Sequence, residues 1–307
     1  MKLLAPKFWQ KKNLISFLLY PFSILYSLIT SVVSYIPTSN IYIPRAKVIR
    51  VGNITMGGAG KTPVVIALAK LFSGRKVAIL TRGYKGGLYG PIILNSNHKI
   101  VDVGDEALLL GKIAPTCIAK NRLEGIKYLE ALGFEIIITD DGMQDNKFKA
   151  AFTIMVIDSY FGLGNNMIFP SGPLRESLKS GLKKADMVVL VGDGEFEGDF
   201  PVVRASLVSE VVLNNRKFTA FAGIGNPEKF FNSVEKAGGT VVIKRYFPDH
   251  YQYNNQDMQE LFSLGYPLIT TEKDWVRLNK EYQASIEFLP VNLVWQDRST
   301  EQKLLNL

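Results

Sequence analysis

Cysteine is almost missing from this chain: Cys117 stands alone among 307 residues. A single thiol excludes a disulfide framework and any cysteine-based zinc site, and it fits a reducing compartment. Histidine is nearly as scarce, with only His98 and His250, so histidine-rich metal sites are excluded as well. Acidic residues are missing over a long stretch: the first after Met1 is Asp102, while lysines and arginines are spread through everything before it. The formal net charge of +8 therefore hides a basic leading third and a net acidic remainder. An acid-free, basic segment points to anionic partners such as phosphates or lipid head groups. No basic helix or aromatic-interleaved stripe lies outside the apolar N-terminal segment, so nucleic acid is not expected as a partner. Internal repeats and low-complexity tracts are missing too. With 47% hydrophobic residues, the chain has material for a sizeable core and length for two ordinary domains.

What is present, first, is Thr55-Met56-Gly57-Gly58-Ala59-Gly60-Lys61-Thr62, set between a strand-like run at 48–51 and a helix-like run at 64–72. A glycine-rich turn at a helix start lets backbone N–H groups wrap a polyphosphate. The lysine then reaches the terminal phosphates, and the threonine hydroxyl suits magnesium. The strict pattern G-x-x-x-x-G-K-[ST] fails at its first position, which is Thr55. A bland flexible turn has no need of Lys61 and Thr62 together, so nucleotide binding is the stronger reading.

Residues 14–36 carry no charge and are flanked by Lys11, Lys12 and Arg45. At about 1.5 Å per residue such a helix covers the roughly 30 Å hydrocarbon core of a bilayer. A secretory signal fits badly: the stretch is too long, lacks a small-residue cleavage site, and would export a nucleotide-binding loop. A spanning helix puts Lys2, Lys7, Lys11 and Lys12 on the far side from the nucleotide domain, against the positive-inside tendency. Ser16, Tyr20, Ser23, Ser27, Thr30 and Ser34 recur at spacings of three and four, giving a weakly polar stripe on a greasy helix. Pro21 is expected to bend or break it near its start. The favoured reading is a helix dipped into the membrane interface, its hydroxyl stripe turned to head groups or to its own domain. A helix buried in the core stays open as the alternative.

Downstream, β-branched runs at 77–80, 135–139, 153–158 and 187–191 alternate with helix-like segments at 64–72, 106–113 and 122–132. That alternation predicts an α/β fold with a doubly wound, mainly parallel sheet, whose ligands sit beyond the carboxyl ends of the strands. A hairpin is expected around Asn214-Asn215. A second, smaller α/β unit follows, with strands at 218–222, 240–246, 268–271 and 288–294 and helices at 227–237 and 256–264. The expected division is 1–40 for the membrane-associated helix, 41–213 for the nucleotide-binding domain and 214–307 for the smaller domain.

An apolar strand ends in Asp140-Asp141. One acid there is commonplace as a turn former, but two in succession downstream of Lys61-Thr62 shift the reading to a metal. Asp105 and Glu106 open a helix, where an N-cap and a dipole-complementing acid are the simpler account. His250 follows a strand of the second unit and is a candidate general base or base's partner, balanced against a structural histidine. Arg175, on the proline-bounded loop 170–176, and Arg82 and Arg122 are candidates to hold anionic groups.

In order along the chain stand Val51-Gly-Asn-Ile-Thr-Met-Gly-Gly-Ala-Gly-Lys-Thr-Pro63, Arg82-Gly-Tyr84, Val103-Gly-Asp-Glu106, Asp140-Asp-Gly-Met-Gln144, Pro170 to Glu176, Phe221-Ala-Gly-Ile-Gly-Asn-Pro227, Phe247-Pro-Asp-His250 and Thr270-Thr-Glu-Lys-Asp274. This set closely resembles the tetraacyldisaccharide 4'-kinases, which phosphorylate the lipid A precursor. The resemblance implies a P-loop kinase using ATP and Mg2+ at the cytoplasmic face of the bacterial inner membrane. Its partners would be an acylated disaccharide lipid and the membrane surface, with no obligate protein partner evident. It further implies that Asp105 and His250 form the pair that deprotonates the sugar 4'-hydroxyl, and that Thr55 to Thr62 bind the nucleotide. Magnesium would fall to Thr62 with Glu106 or the Asp140/Asp141 pair. Arg82, Arg122, Gln144 and Arg175 would lie around phosphate and acceptor. Three positions depart from the pattern: Asp145 where histidine is usual, Ala107 for proline and Ser171 for alanine.

Two rivals come from other classes. A membrane-associated P-loop ATPase switch wants a lysine where Met56 stands. A GTPase wants [Asn/Thr]-Lys-x-Asp, which Thr271-Glu-Lys-Asp274 misses in order.

Overall fold

The computed structural model describes residues 6–35, 41–57, 60–194 and 200–307. The chain builds β1 (Lys47–Gly52), β2 (Val77–Thr81), β3 (Ile92–Ile93), β4 (Thr116–Ile118), β5 (Ile136–Thr139), β6 (Phe152–Asp158), β7 (Met187–Val191) and β8 (Val203–Val208). A second set comprises β9 (Lys217–Ala222), β10 (Thr240–Tyr246), β11 (Leu268–Thr271) and β12 (Ile286–Leu289), before β13 (Asn292–Trp295) closes the series. Among the described residues these form two sheets, ordered β13-β8-β7-β6-β1-β5-β2-β4-β3 and β10-β9-β11-β12. Pairing is parallel throughout, except for β3 on β4 and β13 on β8.

The central strands are covered on both faces and so read as unbroken apolar runs. Val48, Ile49 and Val51 of β1 and Ile136, Ile137 and Ile138 of β5 are all buried. The helix Lys61–Leu71 lays Val64, Val65 and Leu68 on this sheet. Each such side chain contributes about 1.5–3 kcal/mol by leaving water. In the small lobe the helix Pro227–Lys236 starts at a capped turn, where the Asn226 side chain accepts from Lys229 N and Pro227 takes the first helical position. Its Phe230, Phe231 and Val234 pack on Phe218, Ala220 and Ala222 of β9.

The doubly wound sheet and most expected elements are present, with three differences. No hairpin joins β8 and β9: Asn214 and Asn215 both adopt left-handed φ, of 49° and 56°, but the turn carries the chain from one sheet to the other. Two asparagines tolerate that backbone wherever it leads, so the turn signal was local and its destination was not. The expected strand at 288–294 is broken at Pro290 into β12 and β13, since proline cannot donate to a ladder. β13 then pairs antiparallel with β8, and Trp295 and Leu304 enter the large core. The segment 214–307 is therefore shared between both sheets.

At the N-terminus the helices Leu14–Leu18 and Tyr20–Tyr35 meet at Leu19, and Pro21 lies within the first turn of the second, where its missing N–H costs nothing. Part of the polar stripe turns inward. Ser23 is buried, and its hydroxyl donates to the Ile168 carbonyl at 2.8 Å beside Ser171 Oγ at 2.7 Å. Ser16 is buried in a capping box with Asn13. The other face exposes Phe17, Leu18, Phe22, Leu25 and Leu28. Among the described residues no helix is long and apolar enough to cross a membrane. The Ser34 side chain and Lys2 lie outside the described residues.

Candidate functional site

Because β1, β2, β5 and β6 run parallel, their carboxyl ends deliver Asn53, Arg82, Asp140-Asp141 and Asp158 to one edge of the large sheet. The small sheet is parallel as well and delivers Gly223, His250 and Lys273 beyond its own carboxyl ends. The two edges face each other across a cleft.

On the large-lobe wall, Gly60 has φ 76° just before the helix Lys61–Leu71, and a Cβ there would meet Val191 Cγ1 at 3.3 Å. Glycine therefore suits both the left-handed backbone and the close packing. Lys61 Nζ lies 3.2 Å from Asn53 Oδ1 and 3.4 Å from Asp141 Oδ1. Thr62 is half-buried in the first helical turn, and Gly57 has a φ of 107°. Thr55 pairs as an extended residue with Leu174, and Met56 N donates to Pro173 O at 2.7 Å. This pairing explains why a threonine stands where the strict motif has glycine: the residue is held in strand geometry and needs no left-handed freedom. Gly58 and Ala59, expected in the nucleotide loop, lie outside the described residues.

The same pairing carries the loop 170–176 across the P-loop, so that Arg175 Nη1 reaches Asp141 and Gln144 Oε1 at 3.4 Å. Gln144 in turn donates to the Asn53 carbonyl at 3.1 Å. Fully buried Asn53 thus ties Lys61, Thr55 and Gln144 together. Sequence reasoning gave it no role.

Arg122, expected to contact phosphate or acceptor, is placed otherwise: its side chain is 2% exposed. It donates to the carbonyls of Asp140 (2.8 Å) and Asp141 (2.5 Å) from beneath and faces Asp145 at 3.9 Å. The guanidinium braces the turn at Asp141, whose φ is 55°. Burial, together with Arg82, pulls the Arg122 pKa down to about 10 against three acids. Asp145 therefore acts as a counter-charge to a buried arginine. Arg82 is exposed after β2.

On the opposite wall, His250 Nδ1 lies 2.8 Å from Asp105 Oδ2 and 3.1 Å from Oδ1. An ionised carboxylate only accepts, so Nδ1 carries the proton and Nε2 is the acceptor of the neutral ring. Asp105 also receives Arg277 Nε at 2.6 Å, with Arg277 Nη2 2.5 Å away. Burial alone would raise the Asp105 pKa, but His250, Arg277 and Lys273 outweigh it and hold the carboxyl well below its usual range. Arg277 Nη1 donates to Asp274 Oδ1 and to Gly223 O, both at 2.8 Å, and Tyr253 donates to the same Asp274 oxygen at 2.8 Å. Lys273 Nζ sits 3.0 Å from Glu106 Oε1 and 3.4 Å from His250 Nε2. A glycine frames this wall too: Gly104 has φ 83°, and a Cβ there would come 2.2 Å from Tyr84 O. That close fit seats Tyr84 against His250, with ring centroids 5.5 Å apart. Arg277, Lys273, Asp274 and Tyr253 were not among the expected site residues. Asp274 and Arg277 stand three apart, a helical spacing that was available as a signal.

The simpler account of Asp105 and Glu106 as helix-opening acids holds only in part. Asp105 accepts from Glu106 N at 3.0 Å, but both side chains reach across to the small lobe. As for metal, among the described residues no three histidine, cysteine or acidic side chains gather into a ready cage. Magnesium usually takes one or two carboxylates and completes its shell with phosphates and water. Asp140 suits that: it is buried, its Oδ1 lacks a hydrogen-bond partner, and burial with Glu106 pushes its pKa up to about 7. Asp141 goes the opposite way despite burial, because Lys61 and Arg175 lower it.

Beside the cleft, a groove of about 700 Å³ opens between the N-terminal helices and the loop 166–179. Phe17, Ile24, Leu28, Ile168 and Leu174 line it, with Lys12 and Lys179 among its polar residues.

Two parallel lobes, a glycine turn ending in Lys61-Thr62 and a carboxylate–imidazole pair across the cleft define a P-loop phosphotransferase. The comparisons with known proteins narrow this class. The family model described as tetraacyldisaccharide-1-P 4'-kinase matches residues 15–307. The chain is 40% identical to the tetraacyldisaccharide 4'-kinase of Rickettsia canadensis (strain McKiel), over 91% of this chain and 90% of that one. It is also 40% identical to that of Paramagnetospirillum magneticum (strain ATCC 700264 / AMB-1), over 95% and 94%. The crystal structure of an "apo" form of LpxK from Aquifex aeolicus in complex with ATP superposes with a TM-score of 0.79 at 29% identity, covering 95% of this chain and 99% of that one. The chain belongs to the tetraacyldisaccharide-1-P 4'-kinase family.

Proposed function

We propose that this chain transfers the γ-phosphate of ATP to the 4'-hydroxyl of a tetraacyldisaccharide 1-phosphate lipid, in the cleft between its lobes. The observation that carries the mechanism is the 2.8 Å contact of His250 Nδ1 with Asp105 across that cleft, facing the wall that holds Lys61. His250 Nε2 accepts the hydroxyl proton, and Asp105 fixes the ring's tautomer and stabilises the imidazolium as it forms. Asp105 already accepts from His250 Nδ1 and Arg277 Nε, and both hold its carboxyl below the usual range, so the proton goes to the imidazole. Lys61 and Arg175 lie where the charge of a transferring phosphate needs neutralising, and positioning and charge dominate such reactions. Asp140 and Asp141, with Thr62 and Glu106 as the further candidates, would hold Mg2+, which would supply charge neutralisation for the phosphates.

The exposed apolar face of the N-terminal helices rests in the cytoplasmic leaflet of the bacterial inner membrane, with Lys11 and Lys12 toward anionic head groups. The groove beside it gives the acyl chains an apolar path while the sugar reaches the cleft. Leu174 lines that groove and the next residue, Arg175, reaches Asp141, so adjacent residues of one segment face acyl chains and phosphate.

The test is incubation with radiolabelled ATP, magnesium and a disaccharide lipid acceptor in detergent. Label is expected on the glycolipid, and Asp105→Ala is expected to slow transfer by roughly 10²–10⁴-fold. ATP turnover that needs no acceptor, or near-normal turnover by the variant at saturating lipid, would defeat this reading. The switch-ATPase alternative has no use for a tautomer-fixed histidine in the cleft.

A further inference from the structure

Lys273 stands between the two halves of the site. Its ammonium bridges Glu106 Oε1 at 3.0 Å on the large lobe and His250 Nε2 at 3.4 Å on its own. Glu106 is near enough to Asp140 to raise its pKa, and Asp140 also feels Lys61. A continuous string of charged groups therefore runs from the P-loop lysine through Asp140, Glu106 and Lys273 to His250 and Asp105. In any transfer to a hydroxyl held by Nε2, the moving phosphate must pass between Lys61 and His250. Lys273 holds the last contacts of that string, with Glu106 on one side and His250 Nε2 on the other. A nitrogen lone pair that receives an ammonium hydrogen is not available for the proton of an alcohol.

We propose that Lys273 exchanges its present partners for the γ-phosphate during transfer and is a catalytic contact of the small lobe. The inference rests on the kinase reading above. The exchange withdraws the ammonium from Nε2, leaving that lone pair to the acceptor hydroxyl, and releases Glu106 from its ion pair. In the step itself the hydroxyl oxygen forms the new P–O bond while its proton passes to His250 Nε2. The bond from the γ-phosphorus to the bridging oxygen breaks, and ADP leaves with the electron pair. Lys273 neither gains nor loses a proton; it neutralises charge on the phosphoryl oxygens. Because it comes from the other lobe, this contact also couples domain closure to the presence of the third phosphate.

The experiment compares Lys273→Met and Lys273→Arg with the unaltered chain. It measures equilibrium binding of a non-hydrolysable β,γ-imido ATP analogue and of ADP, together with kcat at saturating lipid acceptor. For Lys273→Met, kcat is expected to fall by about 10²–10³-fold. Affinity for the triphosphate analogue should drop by about tenfold while ADP affinity holds, a split of about 1.4 kcal/mol. Lys273→Arg keeps the charge and should restore at least part of both, and it carries the comparison if methionine loosens the lobe interface enough to unfold it. Analogue and ADP affinities that change together, or kcat within about threefold of the unaltered chain, would overturn the role of Lys273 and leave it a simple clip between lobes. An unaltered chain that moves no label to glycolipid would instead overturn the kinase reading, and this inference with it.

Discussion

The two walls of the cleft are built in opposite ways. On the phosphate wall, Asn53, Lys61, Asp141, Gln144 and Arg175 all follow strands or loops of the large sheet, so one folded lobe brings them together. On the base wall, Asp105 meets His250 and Arg277, and Glu106 meets Lys273, across 145 to 172 positions of sequence. Those contacts exist only when both lobes are folded and docked. On the proposed mechanism, phosphate holding and proton handling then depend on different parts of the free energy, the first on one lobe's core and the second on the lobe interface. Damage to the first should leave stability alone, and damage to the second should not.

The largest expected effect tests the base wall. Arg277→Met leaves Asp105 and Asp274 as buried carboxylates without their shared cation, a loss of about 3–5 kcal/mol. Urea unfolding should show it, with turnover falling in parallel. If stability is unchanged, the interface is not held by this arginine. Lys61→Met is the counterpart on the phosphate wall. Turnover should drop by roughly 10²–10³-fold, yet the melting temperature should hardly move, because a partly exposed pair such as Lys61–Asp141 adds only about 0–1 kcal/mol. A large loss of stability here would erase the distinction between the walls.

Ser23→Val probes a third region, the seat of the N-terminal helices. It leaves the Ser171 N–H without its acceptor and takes from the Ile168 carbonyl one of its two donors, the other being Gly172 N–H, at a cost of about 1–3 kcal/mol. Faster hydrogen exchange confined to the helix Tyr20–Tyr35 is the expected readout, with both lobes unchanged. The smallest effect concerns Cys117, buried in β4, where burial pushes the thiol pKa up to about 11 from 9.0. A thiol whose folded pKa is raised favours the folded state while neutral. That contribution is complete below pH 9 and is lost as pH rises toward 11. Alkylation at pH 8 should accordingly be slow in the native chain and complete in urea; rapid native labelling would mean that the large sheet opens there.

Much of the phosphate wall was legible because its signals are local. A β-branched run, a glycine turn and Lys61-Thr62 sit within some fifteen consecutive residues, and Asp140-Asp141 directly ends an apolar strand. Arg122 was misplaced for a physical reason: an exposed phosphate contact and a buried brace under a left-handed turn both call for arginine, and only burial separates them. Asn214-Asn215 announced a turn correctly, but nothing in two asparagines says whether the next strand joins the same sheet. Pro290 marked a break within an apolar run without showing that the chain beyond it would pair with β8. The spacing of Asp274 and Arg277 hinted at a local pair, but nothing local pointed to Asp105 or Glu106, the partners of Arg277 and Lys273 more than 160 positions away.

Periodicity, turn chemistry and the order of motifs along the chain were enough to determine an α/β fold with a mainly parallel sheet, the glycine turn at a helix start and the family, because each depends on interactions between near neighbours. The charge state of Asp105, the tautomer of His250, the brace at Arg122 and the bridge at Lys273 were decided by docking one lobe on the other. Desolvation and hydrogen-bond geometry act through space, and they acquire values only once distant segments have been brought within about 3 Å of one another.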